Sequence, residues 1–213
     1  MNIDIDSAVR RNGDPASSSA SLRIGGFVPF TAIDYPDHLA AVIFCQGCPW
    51  QCGYCHNRHL LPARGASEML WPDLLSLLER RRGLLDAVVF SGGEPTAQAA
   101  LAPAMRILKD MGFKIGLHTA GIYPRRLAQV LPLVDWVGMD IKADFDEYER
   151  VTGVPGSGRA ANTSADLVIA SGVAHQFRTT VDRRLLGETD VAKISSRLLR
   201  MGAKDHVLQE CRG

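Results

Sequence analysis

Three cysteines near the start of the chain have the residue type and spacing that most clearly point to chemistry. Cys48, Cys52 and Cys55 follow the pattern C-x3-C-x2-C. Cysteine thiolates are the usual protein ligands of iron–sulfur clusters. Three thiolates on a cube of four irons would leave one iron without a protein ligand, as a catalytic metal site leaves one position open for its reactant. The pattern therefore predicts a reactive iron–sulfur centre.

A zinc site and a disulfide framework both fit the cysteines less well. Adding Cys45 gives two C-x2-C pairs, but only three residues separate them, whereas zinc ribbons have a far longer intervening segment. A disulfide framework is typical of a small secreted domain, whereas this chain has 213 residues, five cysteines and no recognisable secretory segment. We expect Cys45 and Cys211 to be small buried hydrophobic residues.

The length and charge of the chain indicate a single globular domain. With 213 residues and a formal net charge of +1, it can bury a sizeable core and gives no electrostatic reason to expect nucleic acid or an anionic membrane as partner. No apolar run approaches the roughly 18 to 20 residues that span a bilayer. We expect a cytoplasmic protein, because a reducing compartment keeps thiolates available to iron.

The order of polar and apolar segments predicts a disordered tail over residues 1–21 and one domain over residues 22–213. Within the domain, short apolar runs alternate with helical patterns, which indicates βα units around a parallel sheet. The predicted strands cover residues 39–44, 87–90, 114–118, 136–141, 176–181 and 206–209. The predicted helices cover residues 71–80, 97–109, 124–133, 145–152, 163–171 and 189–201.

The number of βα units decides the predicted fold class. A full (β/α)8 barrel needs eight units and about 250 residues, so six units predict an α/β fold in the form of a partial (β/α)6 barrel with an open side. The open mouth would admit a bulky partner segment. Chemistry in parallel βα folds gathers at the C-terminal ends of the strands. Every candidate motif in this chain falls at such an end.

The segment that follows the second predicted strand contains two adjacent glycines. Gly92 and Gly93 would let the backbone approach a ligand closely, and Glu94 supplies a hydrogen-bond acceptor. A Gly-Gly-Glu-Pro segment also occurs as an ordinary turn before a helix. Its position some forty residues after the cysteines favours a role in the same site.

The fourth predicted strand closes with two opposite charges. Asp140 and Lys142 point to the same side, because side chains alternate along a strand with a period of two. They would form either a surface ion pair of little stabilising value or a clamp for a zwitterionic ligand, which we favour. His118 and Thr119 end the third strand and are assigned to the same cofactor-binding group, although His118 fits a structural strand-end histidine equally well.

Four further residues are weaker candidates. Arg178 and Thr180 alternate on the fifth predicted strand, and Gln209 lies on the last. Each would line the same cavity or satisfy a buried backbone group instead. Trp50, inside the cysteine loop, fits both a contact with another protein and ordinary core packing.

Several segments together resemble a known family. They are Gly25-Gly-Phe-Val-Pro-Phe-Thr-Ala-Ile-Asp-Tyr-Pro36, Tyr54-Cys-His-Asn57, Gly92-Gly-Glu-Pro95, Asp135-Trp-Val-Gly-Met-Asp-Ile-Lys142 and Tyr148-x3-Thr-Gly153. With the cysteine pattern, they resemble the anaerobic ribonucleoside-triphosphate reductase activating proteins of the radical S-adenosylmethionine (SAM) superfamily. The likeness runs from about residue 22 to the C-terminus, and it extends more distantly to pyruvate formate-lyase activating enzymes.

The resemblance implies a glycyl-radical activase with a [4Fe-4S] cluster and SAM as cofactors. In such a scheme, a flavodoxin-like or other low-potential donor reduces the cluster and SAM is cleaved. The 5′-deoxyadenosyl radical then abstracts a hydrogen atom from one glycine of the anaerobic reductase. The protein supplies orientation, exclusion of water and a dock for the glycine loop, so the scheme requires no catalytic acid or base.

The resemblance also implies roles for individual residues. The three cysteines would be the iron ligands, Tyr54 would lie near the cluster and the adenine, and Gly92–Glu94 would hold the methionyl amino group. Asp140 and Lys142 would contact the ribose and carboxylate region of SAM. The related lyase activases carry Asp-Thr-Asn-Gly at His118–Gly121, so we expect no cation site based on that aspartate.

Two further functions stay open from the sequence. A small radical SAM enzyme could act on a free metabolite, such as a deazaguanine precursor, although the short segment after Gln209 argues weakly against a lid over such a substrate. An iron–sulfur electron carrier or redox sensor would use the cluster alone. The carrier hypothesis leaves the Gly-Gly-Glu-Pro and Asp-x-Lys segments unexplained, and another glycyl-radical enzyme remains an alternative target.

Overall fold

The computed structural model describes residues 21–66 and 69–211. The strands are β1 (Ile24–Thr31), β2 (Ala40–Cys45), β3 (Ala87–Gly92), β4 (Lys114–Thr119), β5 (Trp136–Asp140), β6 (Ala174–Val181) and β7 (His206–Glu210). The helices are α1 (Trp71–Glu79), α2 (Leu101–Asp110), α3 (Pro124–Val130), α4 (Glu149–Thr152), α5 (Ser157–Ser171) and α6 (Glu188–Met201). The tail predicted over residues 1–21 lies, except for its last residue, outside the described residues.

The seven strands form one sheet whose spatial order follows the order of the chain. Strands β2 to β7 are parallel, and β1 pairs with β2 in the antiparallel sense. In the described part of the chain, β7 pairs only with β6, so the sheet does not close into a complete barrel. The predicted α/β class and the open-sided arrangement of six parallel strands are confirmed, and helices connect each parallel strand to the next.

The six predicted strands are present, whereas β1 was not predicted. Two glycines and Pro29 interrupt the apolar alternation of its sequence, and this composition is unfavourable in the interior of a sheet. The structure places β1 at the edge, where such residues are tolerated. Its pairing with β2 carries a register shift between Val28 and Thr31. Because β1 is an edge strand held by its pairing with β2, its own sequence lacks the apolar alternation that would predict a strand.

Four helices differ from their predicted ranges by three residues or more: α2 begins at Leu101 rather than at residue 97, α3 ends at Val130 rather than at residue 133, and α4 and α5 differ further. Helix α5 begins at Ser157, six residues before the predicted start, in a segment containing glycine, asparagine and threonine. These residues are weak helix formers, so the early start depends on tertiary packing rather than intrinsic preference. The helix predicted over residues 145–152 is shortened to α4, because the Asp146 N–H bonds the Asp144 side chain in a local turn.

The alternation of side chains gives the sheet two apolar faces. One face packs against the helices through residues such as Ile43, Phe90 and Met139. The opposite face forms a smaller cluster that includes Val42, Val89, Trp136 and Tyr35. Tyr35 comes from the connection between β1 and β2, and its ring lies 5.5 Å from the Trp136 ring. The concave interior is therefore filled at the amino-terminal ends of the parallel strands.

In the described part of the chain, no helix has the length and apolar character needed to cross a bilayer.

Candidate active site

A cavity opens at the carboxyl ends of the parallel strands, above the filled interior. The loops after β2, β3, β4 and β5 and the end of β6 surround it. Among its lining residues are Cys48, Trp50, Cys52, Tyr54, Cys55, Ser91, Gly92, Gly93, His118, Thr119, Asp140, Lys142, Arg178 and Thr180. All the predicted site residues except Glu94 thus reach one space, and their binding roles stay predictions.

The base of the cysteine loop is held by two glutamine side chains. Gln46 is buried, and its amide donates to the carbonyl oxygens of His59 at 3.1 Å and Pro62 at 2.7 Å. Gln98 in turn donates to the backbone oxygen of Gln46 at 3.1 Å. Because buried amides bonded on several sides fix a backbone path, the two glutamines bring the two ends of the loop together.

The three cysteines are partly buried and lie on one side of the cavity. Burial raises the pKa of Cys48 to about 12 and also raises that of Cys52, so iron binding must displace protons from these thiols. Among residues 21–66 and 69–211, no three ligating side chains lie close enough to hold a single metal ion. A cubane has a different requirement, because each thiolate bonds a different iron.

Tyr54 provides a second sign that the cavity accepts a polar ligand. Its side chain is buried, and its hydroxyl makes no direct hydrogen bond in the described part of the chain, although the nearby Lys142 charge acts on it. Burial raises the pKa of Tyr54 to about 12, so the group stays protonated and can donate. An unsatisfied buried hydroxyl is costly unless a ligand or water completes it. Three thiols and this hydroxyl facing the same space fit a cluster with a polar cofactor beside it.

The two glycines after β3 pack directly against the cysteine loop. The Gly93 N–H donates to the Cys45 carbonyl at 2.9 Å. A β-carbon on Gly93 would overlap the carbonyl of Gly47, and one on Gly92, which has a φ of +108°, would lie 2.5 Å from the Cys45 nitrogen. Only glycine fits such close backbone contact. These glycines therefore shape the cysteine loop in addition to facing the cavity.

Glu94 is not among the residues that line the cavity, and its predicted contact with a ligand amino group stays a prediction. Its carboxylate is fully buried and accepts hydrogen bonds from the hydroxyls of Thr96 at 2.6 Å and Thr119 at 2.7 Å. It also accepts from the backbone N–H of Ala120 at 2.9 Å. Burial raises the pKa of Glu94, and these donors oppose the rise. In this structure Glu94 ties the turn after β3 to the end of β4.

Asp140 stands between two cations. Its Oδ2 lies 3.2 Å from Lys142 Nζ, and its Oδ1 lies 3.0 Å from an Arg178 Nη. Burial alone would raise the pKa of Asp140, but Lys142 and Arg178 lower it to about 2. Lys142 is 12% exposed and Arg178 is 13% exposed at the side chain. The cluster therefore carries one excess positive charge within a sheltered part of the cavity.

Arg178 was a weak candidate in the sequence, and the structure brings it to the centre of the site. It reaches across the interior from β6, past Gly138 on β5. A β-carbon on Gly138 would lie 2.9 Å from Arg178 Cζ, so the absence of a side chain there makes room for the guanidinium. Thr180 also lines the cavity, whereas Gln209 lies in a separate groove beside β7.

His118 joins the site to the filled interior. Its Nε2 lies 2.8 Å from the Asp34 carbonyl and 3.4 Å from Arg178 Nη1. Burial, and then the nearby Arg178 charge, lower the pKa of His118 to about 4. The ring is therefore neutral near pH 7, and its Nε2 can donate to the Asp34 carbonyl.

The sequence left the role of Trp50 open and predicted that Cys45 and Cys211 are small buried hydrophobic residues. Trp50 is 3% exposed and belongs to the core, with its ring 5.7 Å from that of Tyr148. Cys45 is fully buried, as expected. Cys211 is only partly buried, and its Sγ lies 3.8 Å from Nε2 of His56, which lines the cavity.

Tyr148 is the main structural contributor for which the sequence gave no role. It is fully buried, and its hydroxyl accepts a hydrogen bond from the Lys142 N–H at 2.9 Å. The available signal was the segment Tyr148-x3-Thr-Gly153, which follows Lys142 closely in the chain. Ser91 also lines the cavity without having been a candidate.

Comparison with known proteins agrees with this arrangement. The model of the radical SAM superfamily matches residues 42–182, which include the cysteine loop and the strands that carry the other cavity residues. The chain belongs to the radical SAM superfamily. Members use a [4Fe-4S] cluster and SAM, so this protein is an enzyme with those two cofactors.

Named relatives narrow the family. A Methanocaldococcus jannaschii protein named as a glycyl-radical enzyme activating enzyme is 32% identical over 81% of this chain and 73% of its own length. The pyruvate formate-lyase-activating enzyme of Clostridium pasteurianum is 33% identical over 62% of this chain, and the match spans only 57% of that relative. This radical SAM enzyme therefore groups with the activating enzymes, which act on a glycyl-radical enzyme.

A solved structure supports the fold alone. Streptococcus suis SuiB bound to S-adenosylmethionine superposes with a TM-score of 0.63 at 12% identity, over 79% of this chain and 39% of SuiB. The shared part is the radical SAM barrel. At this identity the likeness says nothing about the reactant on which the present radical SAM enzyme acts.

Proposed function

We propose that this radical SAM enzyme generates the glycyl radical of an anaerobic ribonucleoside-triphosphate reductase. The observation that carries the proposal is the meeting of the three-cysteine loop and the Asp140–Lys142–Arg178 charge cluster in one cavity at the carboxyl ends of the strands. The cysteine thiols can ligate iron, and the charge cluster can pair with the carboxylate and amino groups of an amino acid. The cavity therefore has the donors that a cluster and SAM require side by side.

The cysteine side of the cavity would hold the cluster. Cys48, Cys52 and Cys55 would each ligate one iron, and when bound the cluster supplies the electron that cleaves SAM to a radical able to take hydrogen from a glycine. The Tyr54 hydroxyl would gain from SAM the hydrogen-bond partner that it lacks in the described structure. Loss of solvent from this buried space would protect a radical from side reactions.

The charged side of the cavity would hold the amino acid end of SAM. Lys142 has three N–H donors, and its ion pair with Asp140 uses one, so the others can meet the SAM carboxylate. Asp140 stays ionised at working pH because Lys142 and Arg178 keep its pKa near 2, and it would balance the positive charge of the methionyl end. The backbone of Gly92 and Gly93, rather than the Glu94 carboxylate, would contact the amino group.

The choice of target rests on the sequence segments that resemble the reductase activating proteins. The relatives point only to a glycyl-radical enzyme, and several of them are named for pyruvate formate-lyase. A low-potential donor of the flavodoxin type would reduce the cluster. We place the enzyme in the cytoplasm, where thiols and an oxygen-sensitive partner stay reduced.

An anaerobic electron paramagnetic resonance (EPR) experiment tests this proposal. The reconstituted, reduced enzyme is mixed with SAM and, in separate samples, with the same organism's anaerobic ribonucleotide reductase or with a pyruvate formate-lyase. A glycyl radical doublet with the reductase, absent when SAM is left out, is the expected result. A doublet only with the lyase would reassign the target, and 5′-deoxyadenosine without any doublet would favour a metabolite substrate.

A further inference from the structure

The turn around α4 connects the two sides of the cavity. Tyr148 precedes this short helix and is fully buried. Its hydroxyl accepts from the Lys142 N–H at 2.9 Å and donates to the Asp140 carbonyl at 3.4 Å. Lys142 lies just beyond the end of β5. The Tyr148 hydroxyl, which comes from the turn after β5, thus hydrogen-bonds the backbone of both Asp140 and Lys142.

The other end of the same turn holds the cysteine loop. The carbonyl of Thr152 accepts from the Gln51 N–H at 3.1 Å, and the carbonyl of Val151 accepts from the Gly53 N–H at 3.2 Å. Gln51 and Gly53 flank the central cysteine of the C-x3-C-x2-C pattern. These two carbonyls belong to the last turn of α4, where helical carbonyls lack partners within the helix. The cysteine loop supplies the missing donors.

Contacts inside the turn make it a stiff connection. The Tyr148 ring packs 5.9 Å from the Phe145 ring and edge-on to the Trp50 ring at 5.7 Å. The Thr152 hydroxyl bonds the Tyr148 carbonyl at 3.2 Å and the Ser157 hydroxyl at 2.7 Å. Burial raises the pKa of Tyr148, so its hydroxyl remains a donor across the working range of pH. A fully satisfied buried network of this kind holds one geometry.

We infer that Tyr148 is a positioning residue that, through the α4 turn, fixes the place of Lys142 relative to the cysteine loop. The inference rests on the proposed binding of SAM by Lys142 and adds the element that sets its distance from the cluster. Small errors in such a distance lower reactivity because the reacting atoms must be held close together. The Tyr148-x3-Thr-Gly153 segment then has a physical purpose: one end orients a SAM contact and the other end orients the cluster loop.

The Tyr148→Phe variant of the reconstituted enzyme tests this inference. The ring and its packing are kept, and only the hydroxyl is lost. The dissociation constant for SAM, measured by equilibrium dialysis, should rise about fivefold, because the Lys142 N–H loses the acceptor that holds it at 2.9 Å. Iron content and the EPR spectrum of the reduced cluster without SAM should stay unchanged, whereas the change that SAM induces in that spectrum should need more SAM.

Two further variants make the result decisive. Tyr123→Phe removes the hydroxyl of a half-buried tyrosine that lies outside the cavity, and it should leave SAM affinity unchanged. Lys142→Ala tests the proposed SAM contact itself. If Lys142→Ala weakens SAM binding and Tyr148→Phe does not, the positioning role is overturned alone; if neither weakens it, the proposed role of Lys142 has failed.

One more outcome would overturn the inference. A purely structural role for the Tyr148 hydroxyl predicts that iron content and the thermal midpoint fall together with SAM affinity. Loss of all three in Tyr148→Phe would assign the hydroxyl to general stability. A selective loss of SAM affinity, with a normal cluster, is the signature of positioning.

Discussion

At the scale of single residues, the site depends on how charges are paired inside the cavity. Asp140 would be an ordinary ion-pair partner if Lys142 were its only cation, and the local pair would be neutral. Arg178 adds a second cation on the other carboxylate oxygen. The resulting excess positive charge is sheltered, so it would attract a carboxylate more strongly than an exposed lysine could.

The cysteines give a sharp residue-scale prediction. Replacing Cys48, Cys52 or Cys55 by alanine should abolish the SAM-binding cluster, whereas Cys45→Ala should retain iron and sulfide, because Cys45 is buried in the core behind the loop. The core variant should lose roughly 1 kcal/mol of stability through the small space left by sulfur. Iron and sulfide analysis after anaerobic reconstitution measures the difference. Loss of the cluster in Cys45→Ala would show that the ligand assignment is wrong.

His118 gives a prediction about pH. Its pKa is about 4 in the folded chain and near 6.5 in an unfolded one, so the folded state binds fewer protons between these values. Stability contributed by the neutral ring is fully present above pH 6.5 and is lost as pH falls toward 4. Arg178, Asp140 and Asp34 are the charged groups that face it.

The measurement is urea unfolding of the wild type and His118→Gln at several pH values. The wild type should lose more stability than the variant between pH 6.5 and 4, by on the order of 3 kcal/mol. Parallel curves for the two proteins would show that another group, such as His206, accounts for acid sensitivity in this range.

At the scale of elements, the strands were predictable because their apolar runs are short and bounded, and because each ends at a candidate motif. The direction of individual side chains was not predictable. Glu94 lies beside two cavity glycines in sequence, but its carboxylate is buried and accepts from four donors. Arg178 lies far from Asp140 in the chain and reaches it only because β5 and β6 are neighbours. Such pairings depend on the register of the sheet.

Gly93 carries the element-scale prediction. A methyl group at this position would overlap the carbonyl of Gly47, whose carbon lies 2.7 Å from the position of the added atom. Since both partners are backbone, the turn after β3 and the cysteine loop must move apart. Gly93→Ala should therefore lower both cluster occupancy and stability, the latter by at least about 2 kcal/mol, as expected for overpacking.

The control for this prediction is Gly187→Ala. Gly187 has a φ of −85°, and an added methyl group would meet its nearest neighbour, Asp190 Oδ2, at 3.7 Å. This variant should reconstitute normally, as judged by iron content per chain. Equal iron content in Gly93→Ala and Gly187→Ala would show that the contact with Gly47 does not shape the cluster loop.

At the scale of the whole molecule, the interior of the partial barrel forms one column, which consists of the apolar cluster around Tyr35 and Trp136 and the cavity above it. Tyr35 and Trp136 fill it at the amino-terminal ends of the strands, and the cavity occupies the carboxyl ends. His118 joins the two parts through the Asp34 carbonyl and the Arg178 guanidinium. Periodicity could not predict the contribution of Tyr35, because Tyr35 comes from the connection between β1 and β2, which has neither a helical nor a strand pattern.

Tyr35 makes that column testable. It is 6% exposed, and its ring lies close to those of Trp136 and His38, so Tyr35→Ala should leave a hole inside the barrel and cost about 3 kcal/mol of unfolding free energy. Ile33, two residues earlier, is 90% exposed, and Ile33→Ala should change stability by less than about 0.5 kcal/mol. Anaerobic urea unfolding of the two variants separates the cases. If Tyr35→Ala were as mild as Ile33→Ala, the connection would only cover the barrel from outside; a large loss confined to Tyr35→Ala would show that it is part of the core beneath the cofactors.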